Sequence, residues 1–191
     1  MGIYSRAKQE QERTARRFAD ETGLPLTVIR PANVIGPGCG PWVEEALGLM
    51  HKGLPALISG GQQNAGLCSV ENVVDVFVRA WKNDAAVGKI YNAADGSDVT
   101  WARYLKDLAE LGGAPPPRSI PRWLAAGMAS TGERAWRWTR RTERPPITWE
   151  ALNLVGSHHQ VPIDRARREL GYAPGDDSYA KTLREIASSL A

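Results

Sequence analysis

The chain has 191 residues, 24% charged and 42% hydrophobic, which is the composition of a globular protein and excludes wholesale disorder. No run approaches the roughly 20 apolar residues that cross a bilayer, and residues 1–8 carry no apolar core of a signal peptide. The two cysteines make neither a disulfide framework nor a zinc site, so we expect a cytoplasmic protein. The net charge of +3 is concentrated between Arg118 and Arg144, where seven arginines stand against two glutamates, so general nucleic-acid binding is not indicated.

The first half of the chain alternates helical and strand-like segments. Residues 5–22 contain no Gly or Pro and predict a helix that ends at Gly23. Residues 26–29 are β-rich and apolar and predict a strand buried on both faces, as in a parallel sheet. The Gly/Pro-rich residues 36–41 predict a loop. Further helices are predicted over 42–52, 71–83 and 101–111 (the last capped by Thr100), and further strands over 56–59, 67–70 and 89–94.

The composition changes at residues 112–117, after which the chain is basic and rich in Trp up to Trp149. Later helices are predicted over 163–170 and 179–190. The alternation of helices and strands predicts an α/β fold with parallel strands. Only two strands, 26–29 and 89–94, look like core strands, whereas a doubly wound sheet has about six. The sequence therefore predicts part of such a fold.

Tyr4 and Lys8 stand four residues apart at the start of the first helix and so share one face. A lysine ammonium near a phenol favours the phenolate, and such a pair can exchange a proton with a substrate hydroxyl or carbonyl. A solvated surface pair has the same spacing.

Four segments follow this pair in a distinctive order. They are LPLTVIRPANVIGPG at 24–38, CSVENVVDVFVRA at 68–80, KIYNAADG at 89–96 and VPIDRARRELGYAP at 161–174. With the Tyr-x-x-x-Lys pair, this series resembles the extended short-chain dehydrogenase/reductase superfamily. The resemblance is to the branch of NAD-dependent epimerase/dehydratases and 3-beta-hydroxysteroid dehydrogenases, and it covers nearly the whole chain.

The resemblance implies an NAD- or NADP-dependent oxidoreductase or epimerase that transfers hydride at a secondary alcohol or ketone. Tyr4 would be the catalytic acid/base, and Lys8 would bind the nicotinamide ribose. Residues Pro31, Ala32, Asn33 and Val34 would lie along the nicotinamide, with Asn33 turned toward the substrate.

The implied fold is the C-terminal part of a Rossmann-type parallel sheet with a mostly helical substrate lobe. Residues 1–112 would hold the nucleotide-binding part with interleaved substrate-side segments, and 113–191 would form the substrate-covering lobe. A homodimer through the helix that carries Tyr4 is implied as well.

One departure from the family pattern is large. The sequence contains no Gly-x-x-Gly-x-x-Gly or Gly-x-Gly-x-x-Gly turn to hold a dinucleotide pyrophosphate, and only three residues precede Tyr4. We therefore expect a truncated product, a misassigned start, an engineered fragment or a chain that pairs with a partner. Each predicts impaired cofactor binding by this chain alone. The alternative is a non-catalytic remnant or binding module that acts through association.

The basic, Trp-rich residues 118–144 admit more than one interpretation. They could cover a small-molecule substrate that is bulky and apolar, with their arginines reaching water. They could also lie on an anionic membrane surface. Stacking on nucleic acid is the least favoured alternative. The adjacent His158 and His159 lack a third ligand at suitable spacing, so no metal site is predicted.

Overall fold

The computed structural model describes residues 3–139, 149–157 and 160–190. In chain order the helices are α1 (Ile3–Thr22), α2 (Glu45–His51), α3 (Val70–Trp81), α4 (Trp101–Leu111), α5 (Arg122–Thr139), α6 (Trp149–Gly156), α7 (Asp164–Leu170) and α8 (Ser178–Leu190). The strands are β1 (Val28–Pro31), β2 (Asn33–Ile35), β3 (Pro55–Ile58), β4 (Leu67–Ser69), β5 (Ile90–Ala93) and β6 (Arg118–Ile120). No described helix combines the length and apolar character that a membrane span requires.

The chain divides into two compact units, each assembled from separate stretches. Unit 1 comprises the described residues within Val43–Ala65 and Val99–His159, and unit 2 those within Gly2–Trp42, Gly66–Asp98 and Gln160–Ala191. The composition change at Gly112 lies inside unit 1. The functional division into 1–112 and 113–191 stays a prediction.

Unit 2 contains two parallel strand pairs. β1 pairs with β5 in the register Val28 with Ile90 through Pro31 with Ala93, and β2 pairs with β4. Parallel neighbours require a crossover connection, and α3 lies in the connection between β4 and β5. The α/β class and the parallel strands predicted from the sequence are thereby confirmed.

The core of unit 2 lies on one side of the β1–β5 pair. Tyr91 and Ala93 point into it, and they pack with α3 and α7. The buried members of this core are Cys68, Val76, Ala80, Ala86, Tyr91, Ala93, Ala94, Ile163, Ala166, Leu170 and Tyr172.

Glu169 holds α7 to β5 by accepting three hydrogen bonds. Its Oε2 accepts from Lys89 Nζ and from the Tyr91 hydroxyl, both at 2.9 Å, and its Oε1 accepts from Arg165 Nε at 3.1 Å. The hydrogen bond from Lys89 is the main cause that lowers the pKa of Glu169 to about 2, and those from Tyr91 and Arg165 add to it. Burial, and then the bond to Glu169, raises the pKa of Tyr91 to about 12.

Unit 1 is built on the parallel pair β3–β6 and on helices packed around it. Ile58 of β3 is buried against Ala125 of α5 and Leu152 of α6. Trp101 and Tyr104 of α4 are fully buried and meet edge to face, with ring centroids 6.3 Å apart. The predicted cap of α4 is confirmed, since the Thr100 side chain accepts a hydrogen bond from the Arg103 backbone N–H.

Three local predictions were wrong. The strand predicted at 26–29 forms at Val28–Pro31 and is not buried on both faces: Val28 and Ile29 are half-buried and Arg30 is exposed. Within the described residues this strand pairs along one edge only, with β5, which explains the exposure. The loop predicted at 36–41 ends early, because Gly40 begins a π-helical turn, Gly40–Glu44, that leads into α2.

The third was an omission, since β6 was not predicted. Its residues Arg118, Ser119 and Ile120 are few, largely polar and flanked by prolines, so the sequence resembles a loop there. β6 forms a strand because it pairs with β3, although its own sequence does not favour a strand.

We predict that Glu169→Gln makes the chain less stable at neutral pH and flattens its acid response. The folded pKa of Glu169, about 2, lies below the ordinary unfolded value of about 4.3. The stability that ionised Glu169 contributes to the fold is therefore fully present above about pH 5 and is lost as the pH falls toward 2. Thermal unfolding followed by circular dichroism from pH 7 to pH 2 measures this. Glu110→Gln, which removes an exposed partner of Lys106, is the matched control. An unchanged pH response in Glu169→Gln would contradict the assignment.

Candidate active site

The structure brings the predicted catalytic pair together on α1. The Lys8 Nζ lies 5.8 Å from the centroid of the Tyr4 ring, within the range of a cation–π contact. Tyr4 is 58% exposed. Lys8 donates one hydrogen bond to Gln11 Oε1 at 3.1 Å, and an ammonium carries three N–H groups.

A bidentate ion pair fixes α1 to β1. Arg30 donates to both carboxylate oxygens of Glu12, at 2.9 Å and 2.7 Å. The hydrogen bond from Arg30 holds the pKa of Glu12 below its usual range, and the same bond raises the pKa of Arg30. Although exposed, the pair has the planar two-bond geometry that gives arginine–carboxylate contacts their specificity.

This ion pair also sets the direction of α1 relative to β1. Glu12 lies about 15 Å before the end of the helix, so the chain reverses after Thr22 for Arg30 to reach it. The start of α1 and the carboxyl end of β1 therefore point the same way. Tyr4 lies about 12 Å from Glu12 along the helix, toward its start, and Asn33 begins β2, three residues after Arg30.

Residues 31–34 lie at the carboxyl end of β1 and in β2. Pro31 pairs with Ala93, and the Ala32 N–H donates to the Ala93 carbonyl at 2.8 Å. The Asn33 N–H donates to Gly66 O at 2.8 Å, and Val34 pairs with Cys68. Backbone bonds on both sides thus fix this segment at the edge where parallel α/β sheets bind ligands.

The sequence analysis gave no role to Asp95, which the structure places at the same end of the strands. Its Oδ1 accepts from the Ser69 backbone N–H at 2.8 Å and from Asn72 Nδ2 at 2.7 Å. Asn72 Nδ2 also donates to Ser178 Oγ at 3.2 Å. Asp95 thereby joins the ends of β4 and β5 to the first turn of α3 and, through Asn72, to α8. The signal in the sequence was an acidic residue directly after a core strand.

Burial dominates the electrostatics around Asp95. It raises the pKa of the carboxyl, and the hydrogen bonds from Asn72 and Ser69 offset part of that effect. Burial, and then the charge of Asp95, raises the pKa of the neighbouring Cys68 thiol. Cys68 is therefore a protonated core residue rather than a nucleophile.

The acidic residues at the start of α3 are both engaged on the helix surface. Glu71 forms an ion pair with Lys181, and Asp75 forms one with Arg79. Among the described residues no group of three or more His, Cys, Asp or Glu side chains is arranged to hold a metal ion. His158 and His159, and residues 140–148 of the Trp-rich segment, lie outside the described residues.

Comparison with known proteins confirms the family resemblance. Residues 1–94 match the model of the NAD dependent epimerase/dehydratase family. A ketoreductase of Stigmatella aurantiaca that acts on 4-hydroxy-2-methyl-3-oxo-4-farnesyl-3,4-dihydroquinoline-1-oxide is 28% identical over 171 residues, 89% of this chain and 51% of the relative. The decarboxylating sterol-4-alpha-carboxylate 3-dehydrogenase of Bos taurus is 27% identical over 96% of this chain and 55% of that protein.

Solved structures support the fold. The structure of gox2253 has a TM-score of 0.72 at 21% identity and covers 99% of this chain and 56% of that chain. The UDP-glucuronic acid 4-epimerase of Bacillus cereus in complex with NAD has a TM-score of 0.65 at 14% identity and covers 100% of this chain and 51% of that chain. The chain thus spans about half the length of these relatives.

We predict that Asp95→Ala destabilises the chain by about 2 kcal/mol, because it leaves the Ser69 N–H and the Asn72 amide without their buried acceptor. Asp95→Asn keeps an acceptor oxygen and removes the buried charge. The loss of stability in this variant should therefore be less than half of that in Asp95→Ala. Thermal and urea unfolding of both variants at neutral pH measure the difference. Equal losses would show that the hydrogen bonds do not carry the effect.

Proposed function

From its relation to the NAD-dependent epimerase/dehydratases, we propose that this chain carries the proton-transfer half of an NAD(P)-dependent oxidoreductase or epimerase site. The reaction is hydride transfer at a secondary alcohol or ketone. The observation that carries the proposal is the Tyr4–Lys8 contact at the exposed start of α1, on the side toward which the carboxyl end of β1 points.

The residues present fit one end of a nicotinamide dinucleotide. The Lys8 ammonium has N–H groups that can donate to ribose hydroxyls. Residues 31–34 are held by backbone hydrogen bonds and are partly exposed, so a flat ring can lie against them. The nicotinamide of such a cofactor, when bound, supplies or accepts the hydride. The sequence has no glycine-rich turn for the pyrophosphate, so the fit covers the nicotinamide end alone.

Tyr4 handles the proton in both directions. In oxidation its oxygen accepts the hydroxyl proton of the alcohol while hydride leaves the same carbon. In reduction its hydroxyl donates a proton to the carbonyl oxygen as hydride arrives. Lys8 lies over the ring of Tyr4 and would hold the cofactor ribose beside it, and Asn33 would face the substrate, as the family resemblance implies.

The substrate is proposed to be a small molecule with a bulky apolar part. The support comes from α5 in unit 1, where Trp123 is 75% exposed while Ala125 and Ala129 of the same helix are buried. The exposed apolar side chains of α5 suit contact with an apolar molecule. Contact of residues 118–144 with an anionic membrane surface remains the alternative for this segment, and co-sedimentation with anionic and neutral vesicles distinguishes the two.

A second candidate function is a non-catalytic binding module. Titration of the chain with NAD(H) and NADP(H) by calorimetry separates the candidates. Binding with a Kd of about 100 µM or tighter supports the enzyme, and no binding at about 1 mM supports the module.

We predict that Tyr4→Phe lowers turnover of a secondary alcohol or ketone by about 10²–10⁴-fold, the usual loss for a positioned acid/base, with cofactor binding little changed. Lys8→Met should weaken cofactor binding as well, because it removes both the charge and the ribose donors. Lys52→Met, at an exposed lysine of unit 1, is the matched control. Unchanged turnover in Tyr4→Phe would remove Tyr4 from the mechanism.

A further inference from the structure

The helix α1 contacts the rest of unit 2 along one narrow line. Of residues 4–22, only Ser5, Glu12 and Ala19 are half-buried, and all the others are exposed. These three stand seven residues apart, and a step of seven residues returns to within about 20° of the same side of a helix. No apolar side chain of residues 4–22 is fully buried, so this helix is not held in place by a buried apolar face.

Glu12, at the middle of this line, forms a two-point contact with the sheet. Both of its carboxylate oxygens accept a hydrogen bond from Arg30, at 2.9 Å and 2.7 Å. The backbone of Arg30 is itself fixed, because it pairs with Asn92 in the β1–β5 ladder. Arg16, one turn further along α1, lies 3.9 Å from Oε1 of Glu12 and keeps that carboxylate in a positive environment. The pair therefore ties the middle of an exposed helix to a rigid strand.

The end of α1 leaves the helix room to tilt. Gly23 follows the helix directly and has a φ of +71°. Apart from its chain neighbours, no heavy atom lies within 4 Å of the place where a Cβ of Gly23 would stand. Its N–H donates to the Ala19 carbonyl at 2.9 Å and closes the helix. A left-handed glycine in open space at the end of a helix is a point where a change in few dihedral angles redirects the whole helix.

The length of α1 magnifies any tilt at Gly23. Tyr4 lies about 27 Å from the last residue of the helix, and Glu12 lies about 15 Å from it. A tilt of about 10° at Gly23 therefore moves Tyr4 by about 5 Å. A misplacement of about 1 Å can lower a reaction rate about a hundredfold. Proton transfer by Tyr4 thus requires a contact that stops the tilt.

We propose that Glu12 and Arg30 are positioning residues of the proton-transfer site, whose two hydrogen bonds hold Tyr4 and Lys8 in place against a tilt of α1 about Gly23. Neither residue touches the reacting atoms, and both act through the direction of the helix. The role in catalysis rests on the proposed function, whereas the attachment of the helix can be measured by itself.

Distances between two spin labels test the attachment. One label stands near the start of α1, at Arg6→Cys, and the other at Lys82→Cys, an exposed position after α3. The background is Cys39→Ser, which leaves only the buried Cys68. Double electron–electron resonance should give a narrow distance distribution for the parent chain and a broad one for Glu12→Ala. Glu10→Ala, which removes an exposed glutamate that pairs only with Arg13 of the same helix, is the matched control and should stay narrow.

A second label position separates a tilt from local unfolding of α1. Residue 6 lies about 24 Å from the end of the helix and residue 17 about 8 Å. The broadening caused by Glu12→Ala should therefore be about three times larger with the first label at Arg6→Cys than at Arg17→Cys. Circular dichroism checks that the helix content is kept. The exchanged pair, Glu12→Arg with Arg30→Glu, should restore the narrow distribution.

Four results would overturn the proposal. They are a parent chain as broad as Glu12→Ala, a Glu12→Ala chain as narrow as the parent, equal broadening in Glu10→Ala, and equal broadening at both label positions.

Turnover of a secondary alcohol or ketone distinguishes this proposal from the proposed function. Glu12→Ala should lower kcat about a hundredfold, the exchanged pair should recover most of it, and Glu10→Ala should leave it unchanged. If Tyr4→Phe does not affect turnover while Glu12→Ala releases the helix, the proposed chemistry fails and the attachment stands. If Tyr4→Phe abolishes turnover and Glu12→Ala does not lower it, the positioning role fails and the proposed function stands.

Discussion

The parallel pairing of β1 with β5 is the interaction on which the rest of unit 2 depends. It joins Val28–Pro31 to Ile90–Ala93, segments about sixty residues apart, and so fixes the ends of both strands at one edge. From β1 the Arg30–Glu12 pair positions α1. Glu169 of α7 accepts from Lys89 and from Tyr91 of β5, and Asp95, just after β5, holds the start of α3. The short β1–β5 pair thereby positions side chains from four separate stretches of the chain.

The elements with a strong local signal were predictable from the sequence. α4 forms over the predicted residues with the predicted cap because its apolar spacing and Thr100 both act locally. β6 was missed because its order comes from pairing with β3, 55–58, more than fifty residues earlier. The exposure of β1 could not be predicted from its apolar residues either, since exposure depends on what covers a strand.

The candidate site divides in the same way. Tyr4 and Lys8 were predictable because helical spacing alone places them on one face. Asp95 was not, because its importance comes from the Ser69 N–H and the Asn72 amide that meet there only after β4 and β5 are in place. The chemistry proposed for the chain combines the two kinds of residue: a pair set by local spacing, and a buried carboxylate that fixes the ends of β4 and β5, where a ligand is proposed to bind.

The interleaving of the two units has a consequence for biosynthesis. The core of unit 2 takes Ile163, Ala166, Leu170 and Tyr172 from its last stretch, which lies more than a hundred residues after β1. A chain emerging from the ribosome therefore completes the strand pair β1–β5 well before the residues that cover Tyr91 exist. Until they arrive, an apolar surface is open to solvent, as in other partly made domains that attract chaperones. Residues 160–172, which are translated after β5, thus cover an apolar surface that is otherwise open to solvent.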